Sequence, residues 1–184
     1  MKAVVLVLLV LVVLALLAVM ARNRLVRLNI SCDEAFSQIE VQLKRRSDLI
    51  PNLVETVKGY TSHEASTLEA VVAARAKATS ATSVQDVAAA DGSVTQALRG
   101  LLAVTENYPD LKASANFLAL QEELSTTENK VAFARQFYND NVRSLNQAVK
   151  TFPSSVFANS AKVSARPFYE VDDPQDRKAP TVKF

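Results

Sequence analysis

VQLKRRSDLIPNLVETVKGY, residues Val41 to Tyr60, decides how the rest of the chain is read. A basic triplet (Lys44, Arg45, Arg46) is followed by Pro51 in the middle of an apolar pattern. A proline inside a helix removes one backbone hydrogen bond and crowds the preceding turn, so the chain is expected to turn or kink there. Asp48 is suited to cap a returning helix, because its carboxylate accepts from free N–H groups two or three residues on. Pro51 then falls in a first turn, where a missing N–H costs little. A tight turn over residues 47–51 is the expectation. One kinked helix running through is the alternative.

Upstream, Leu25, Leu28, Cys32, Ala35, Ile39 and Leu43 alternate three and four apart, the period of a helix with one buried stripe. No Gly or Pro separates this helix from the run before it, Ala3 to Ala21, which has no charged or strongly polar side chain. As a helix that run spans about 28 Å, close to the hydrocarbon core of a bilayer. A cleaved secretory signal is the alternative, although the run exceeds the usual ~7–15-residue signal core. Arg22, Arg24 and Arg27 follow the run and only Lys2 precedes it. The positive-inside rule then places the body in the cytoplasm, with an extracytoplasmic body as the alternative. Arg22, Arg24 and Arg27 are the expected lipid-headgroup contacts. On a continuous helix Lys44, Arg45 and Arg46 stand about 35 Å beyond the membrane boundary, well past a Debye length. They are therefore expected to form an interaction surface for acidic groups on another helix or subunit.

Downstream, Leu53, Val57, Tyr60, Leu68 and Val71 mark a second helix. Gly59 inside it costs about 1 kcal/mol relative to Ala, and a close helix crossing is the simplest reason for it. Ser80 to Ser83 is the expected second connection. Val84, Val87, Val94, Leu98, Leu101, Thr105 and Tyr108 define a third helix running through Asp91-Gly92, ended by Asn107 to Asp110. The last helix, Leu111 to Lys150, carries Phe117, Leu120, Leu124, Thr127, Val131, Ala134, Tyr138, Val142, Leu145, Val149 and Phe152 at three-four spacing. That is a coiled-coil-like seam of about five heptads, with Thr127 as a polar group that fixes register between helices. Pro153, Pro167, Pro174 and Pro180 make the remainder an extended tail, docked by Phe157, Phe168 or Tyr169 and mobile beyond Asp172. The organisation expected is a transmembrane anchor over 1–21, a helical bundle over 22–153 and a tail over 154–184.

Composition agrees with an all-α chain: 184 residues contain only 3 Gly, and the turn residues that sheets need are scarce. A net charge of +2 is too small for nucleic acid as the main partner. Cys32 is the only cysteine, so no intramolecular disulfide forms; its place on the stripe suits a small core residue. His63-Glu64 resembles the start of a zinc-protease helix, but position 67 is Thr67 and there is no second histidine. No phosphate loop is present, since the glycines are scattered. No cofactor, no metal and no enzymatic activity are expected.

The chain resembles the bacterial LemA family. The resemblance rests on residues 33–39 (DEAFSQI) and 41–54 (VQLKRRSDLIPNLV), on Val57 to Tyr60 and on His63-Glu64. It continues in Asn107 to Lys112, Asn116-Phe117, Leu120-Gln121, Glu123-Leu124, Thr127 to Lys130, Ala134-Arg135 and Tyr138-Asn139. Phe36 stands where the family often has Trp, and Arg22 where it often has Tyr. The resemblance implies one N-terminal helix in the inner membrane and an antiparallel, up-and-down four-helix bundle. It favours the turn at Pro51, because four helices need one there. It carries over no catalytic residue and no defined role. The expected function is that of a structural or interaction protein that assembles with itself or scaffolds a membrane protein. Alternatives are an accessory to a membrane-surface hydrolase, using His63 and Glu64, and a secreted bundle freed of its signal.

Overall fold

The computed structural model describes residues 1–61 and 64–171. The described chain is all-helical, without strands. Its elements are α1 (Lys2–Lys58), α2 (Ala65–Ser80), α3 (Val84–Thr105), α4 (Pro109–Lys112), α5 (Ala115–Lys150) and α6 (Ser154–Phe157). His63, and with it the expected mobile end beyond Asp172, lie outside the described residues.

The turn expected over residues 47–51 is absent. α1 runs through Pro51 without interruption for 57 residues, about 85 Å. Two observations explain why the proline does not break it. Pro51 has no N–H for the carbonyl of Ser47, and the Nε of Arg75 on α2 donates to that oxygen instead, at 2.9 Å. The ring itself faces solvent, while Ile50, Leu53 and Val57 on the other side are almost wholly buried. Burying each contributes about 1.5–3 kcal/mol, which together outweighs the ~3 kcal/mol of an interior proline. Asp48 is accordingly no cap. It lies mid-helix and pairs with Lys44 at 3.3 Å, both exposed.

The chain turns after Lys58 instead. The amides of Tyr60 and Thr61 both donate to the Val57 carbonyl, at 3.0 and 3.1 Å. Gly59 marks this end, and among the described residues no helix crosses it: an added Cβ would meet only Thr56 and Glu55 oxygens of its own helix, at 3.5 and 3.9 Å. The next connection is the short link before α3. There Ser83 caps the helix, accepting from the Asp86 amide at 3.1 Å, while its hydroxyl donates to the Asp86 carboxylate at 2.6 Å. α3 passes through Asp91-Gly92. The last helix, expected from Leu111, is interrupted after α4 and restarts as α5, with Leu118 N–H bonded to the Ser114 carbonyl at 3.0 Å.

The described chain divides into two compact units. In one, residues 1–39 and 134–168, Leu25, Cys32, Ala35 and Ile39 from α1 are buried with Tyr138, Val142 and Leu145 from α5. Phe36 tilts against Tyr138 with ring centroids 5.7 Å apart. The segment after α6 is strapped onto both helices. Asn146 accepts from the Arg166 amide at 2.8 Å and donates to its carbonyl at 2.9 Å. The Tyr138 hydroxyl donates to the Pro167 carbonyl at 3.1 Å, and Arg166 donates to Asn29 and Asp33 at 3.1 and 2.6 Å. Phe152, expected on the seam, is 84% exposed, because α5 ends before it; Ala148 takes the last buried position. The other unit, described over residues 40–61, 64–133 and 169–171, has one apolar core drawn from α1 (Ile50, Leu53, Val57), α2, α3, α4 and α5. Thr127 is fully buried but bonds the Glu123 carbonyl of its own helix at 2.8 Å, so it holds no register between helices.

From Val4 to Met20 the large apolar side chains of α1 are all exposed. This is one helix long and apolar enough to cross a membrane, and so a candidate membrane anchor.

Candidate functional site

Position 46 continues the buried stripe of α1 (39, 43, 46, 50, 53, 57), so a helix with that period must turn Arg46 inward. Arg46 is therefore not part of an exposed basic triplet: its side chain is 5% exposed. On α3 the same period places Asp91 between Val87 and Val94, also inward. The two meet. Arg46 Nη1 donates to Asp91 Oδ1 at 2.9 Å, and Nη2 to Thr95 Oγ1 at 3.0 Å. Glu128 on α5 brings a carboxylate oxygen to 2.9 Å from the same Nη1, as an ion contact without hydrogen-bond alignment. Tyr169 comes down from the chain after α6 and donates its hydroxyl to Asp91 Oδ2 at 3.0 Å. Of the three aromatics expected to dock the tail, Tyr169 is the buried one; Phe157 is half-buried and Phe168 exposed.

The other members of the triplet bond outward. Arg45 reaches Glu123 on α5 at 2.7 Å, both half-exposed, and Lys44 pairs with Asp48. Arg22, Arg24 and Arg27 are exposed on α1. Glu64 accepts from the Tyr108 hydroxyl at 3.2 Å. Loss of solvent, then the Glu64 charge and the bond it accepts, push the Tyr108 phenol up from its ordinary value.

A cavity of about 330 Å³ adjoins the charge cluster, lined in part by Arg46, Asp91 and Arg75. Cys32 is buried elsewhere. Burial raises its thiol pKa against the pull of Arg166, with Asp33 adding to the rise, so it is protonated and unreactive at neutral pH. Among the described residues no group of three or more His, Cys, Asp or Glu is placed to hold a metal. What the cluster can do is mechanical. One guanidinium joins α1, α3 and α5, and one carboxylate ties α3 to the segment of Tyr169. The signal for it in the sequence is an Arg and an Asp, each at an apolar stripe position on a different helix.

The LemA family model matches residues 35–184, which include Arg46, Asp91, Glu128 and Tyr169. Protein LemA of Metamycoplasma hominis is 29% identical over 132 residues, covering 71% of this chain. That match spans 60% of the relative's length, so the chain corresponds to only part of it. With a family match over most of its length and the order of helices described above, the chain belongs to the LemA family.

Proposed function

We propose that this protein is a rigid membrane-rooted post, a structural or interaction protein rather than an enzyme. The observation that carries this reading is the continuity of α1, from an apolar segment left exposed by the other described residues to Lys58. A helix of that kind crosses the bilayer once and holds its far end about 50 Å from Arg24. The four long helices α1, α2, α3 and α5 form an antiparallel, up-and-down bundle, with the seam of α5 as its longest face. Arg22, Arg24 and Arg27 contact lipid headgroups and hold the body on the cytoplasmic side of a bacterial inner membrane. The body assembles with further copies or with a membrane-protein partner. Apolar side chains left exposed outside the anchor, such as Phe133, support this.

The test is extraction of the full chain from membranes by detergent, followed by its size in solution. A multiple of the chain mass, or a co-purifying membrane protein, is expected. A strict monomer with nothing bound would remove the assembly reading. Release of the full chain by alkaline carbonate alone would remove the anchor.

A further inference from the structure

We propose that the loop ending α5, residues 151–162, is a second membrane contact beside the anchor, made for an anionic lipid surface. The proposal rests on the reading of α1 as a membrane anchor and adds a site to it. Phe36 faces Tyr138, and Arg166 ties Asn146 to Asn29 and Asp33, so rising numbers on α5 meet falling numbers on α1. The buried positions of the two helices then run in step, from Ala35, Cys32, Leu25 and Ala21 to Tyr138, Val142, Leu145 and Ala148. Carried twelve residues from Tyr138 to the end of α5 at Lys150, roughly 18 Å, this register sets the loop that begins there level with Arg22 and Arg24. That is where the apolar run of α1 ends.

Three features of the loop fit a bilayer surface there. Phe152 is 84% and Val156 65% exposed, two large apolar groups open to the surroundings. Both are of the kind that enter the boundary between headgroups and acyl chains, about 5–10 Å deep. The charge is one-sided: neither Met1 to Cys32 nor Asn141 to Tyr169 contains an Asp or a Glu. Arg22, Arg24, Lys150 and Lys162 are exposed at this end and have no ion-pair partner among the described residues. Cations within a Debye length of an anionic surface are drawn to it, and together they favour that surface over a neutral one. Two contacts, a spanning helix and a dipping loop, would fix the rotation of this unit about the anchor, which a single helix leaves free.

The chain has no tryptophan, so a single introduced indole reports its own surroundings. Full-length Phe152→Trp and Val156→Trp proteins are reconstituted in vesicles of phosphatidylglycerol with brominated or ordinary phosphatidylcholine. Leu9→Trp serves as anchor control and Phe137→Trp, farther up α5, as control away from the lipid. Both loop reporters are expected to lose about half their emission to bromine, with blue-shifted maxima, as for a group at the interfacial depth. Phe137→Trp should be unaffected. Replacing phosphatidylglycerol by phosphatidylcholine should weaken quenching of the loop reporters and leave Leu9→Trp quenched. Loop reporters unquenched while Leu9→Trp is quenched would overturn the proposal and leave the anchor standing. A blue shift without quenching would do the same, showing the loop covered by protein. An unquenched Leu9→Trp would overturn the anchor reading itself. Loop quenching equal in the two lipids would overturn the selectivity for anionic surfaces.

Discussion

Replacing Arg46 with methionine is expected to cost about 3–5 kcal/mol of stability, because it leaves the Asp91 carboxylate buried without its cation. Chemical denaturation of the two proteins measures this. Pairing the change with Asp91→Leu should recover a large part of the loss, since a buried ion pair is worth little more than an apolar pair of similar volume. If Arg46→Met were neutral, the carboxylate would have another source of compensation and the cluster would not be the joint described here. A buried Arg-Asp pair reads along the sequence as two polar interruptions of apolar stripes. Each alone looks like part of a solvated face, and only the period places them inward. For Arg46 the neighbouring Lys44 and Arg45 disguised the signal, because a run of three basic residues suggests a surface. The stripe, not the run, decides the burial of the third.

The helices themselves were largely legible from period and punctuation. The stripes of α3 and α5, the connection over Ser80 to Ser83 and the stop before Pro109 stand where spacing and punctuation place them. The misplaced turn has a cause that no local rule contains. Pro51 is a helix breaker by its own chemistry, and the group that relieves it, Arg75, lies 28 residues later on α2. This gives a reciprocal prediction. Arg75→Met should destabilise the protein by about 1 kcal/mol, the cost of leaving that part-buried carbonyl without its donor. Pro51→Ala restores the N–H to that carbonyl and should largely abolish the penalty, so a double-mutant cycle by thermal unfolding should show coupling between residues 51 and 75. Additive effects would mean that Arg75 acts elsewhere. The strap after α6 carries a pH dependence. Burial first, offset by Arg166 and reinforced by Cys32 and Asp33, raises the Tyr138 phenol above its ordinary value. A raised pKa means that the folded state prefers the protonated form, which also donates to Pro167. This contribution is fully present below the ordinary tyrosine pKa near 10 and is lost as pH rises through the folded value. Tyr138→Phe should start about 1 kcal/mol less stable at neutral pH and lose less between about pH 9 and pH 11 than the parent protein.

Taken together, these joints make one elongated element, α1, the reference to which the others are attached. Apolar composition alone made its candidate membrane segment visible, and the stripe from Leu25 to Val57 carried the rest of its length. What composition could not supply was the tolerance of Pro51, and so the position of the first turn moved from residues 47–51 to the end of α1. This matters for the proposed role, because a turn at Pro51 would bring Lys58 back toward the membrane, whereas a continuous α1 holds it away. Spin labels at Arg24 and Lys58, in the full chain in lipid nanodiscs with Cys32 replaced by alanine, measure the difference directly. A continuous helix predicts one narrow distance distribution near about 50 Å, from ~1.5 Å of rise per residue. A distribution centred near about 25 Å, as a turn at Pro51 would produce, would contradict the account.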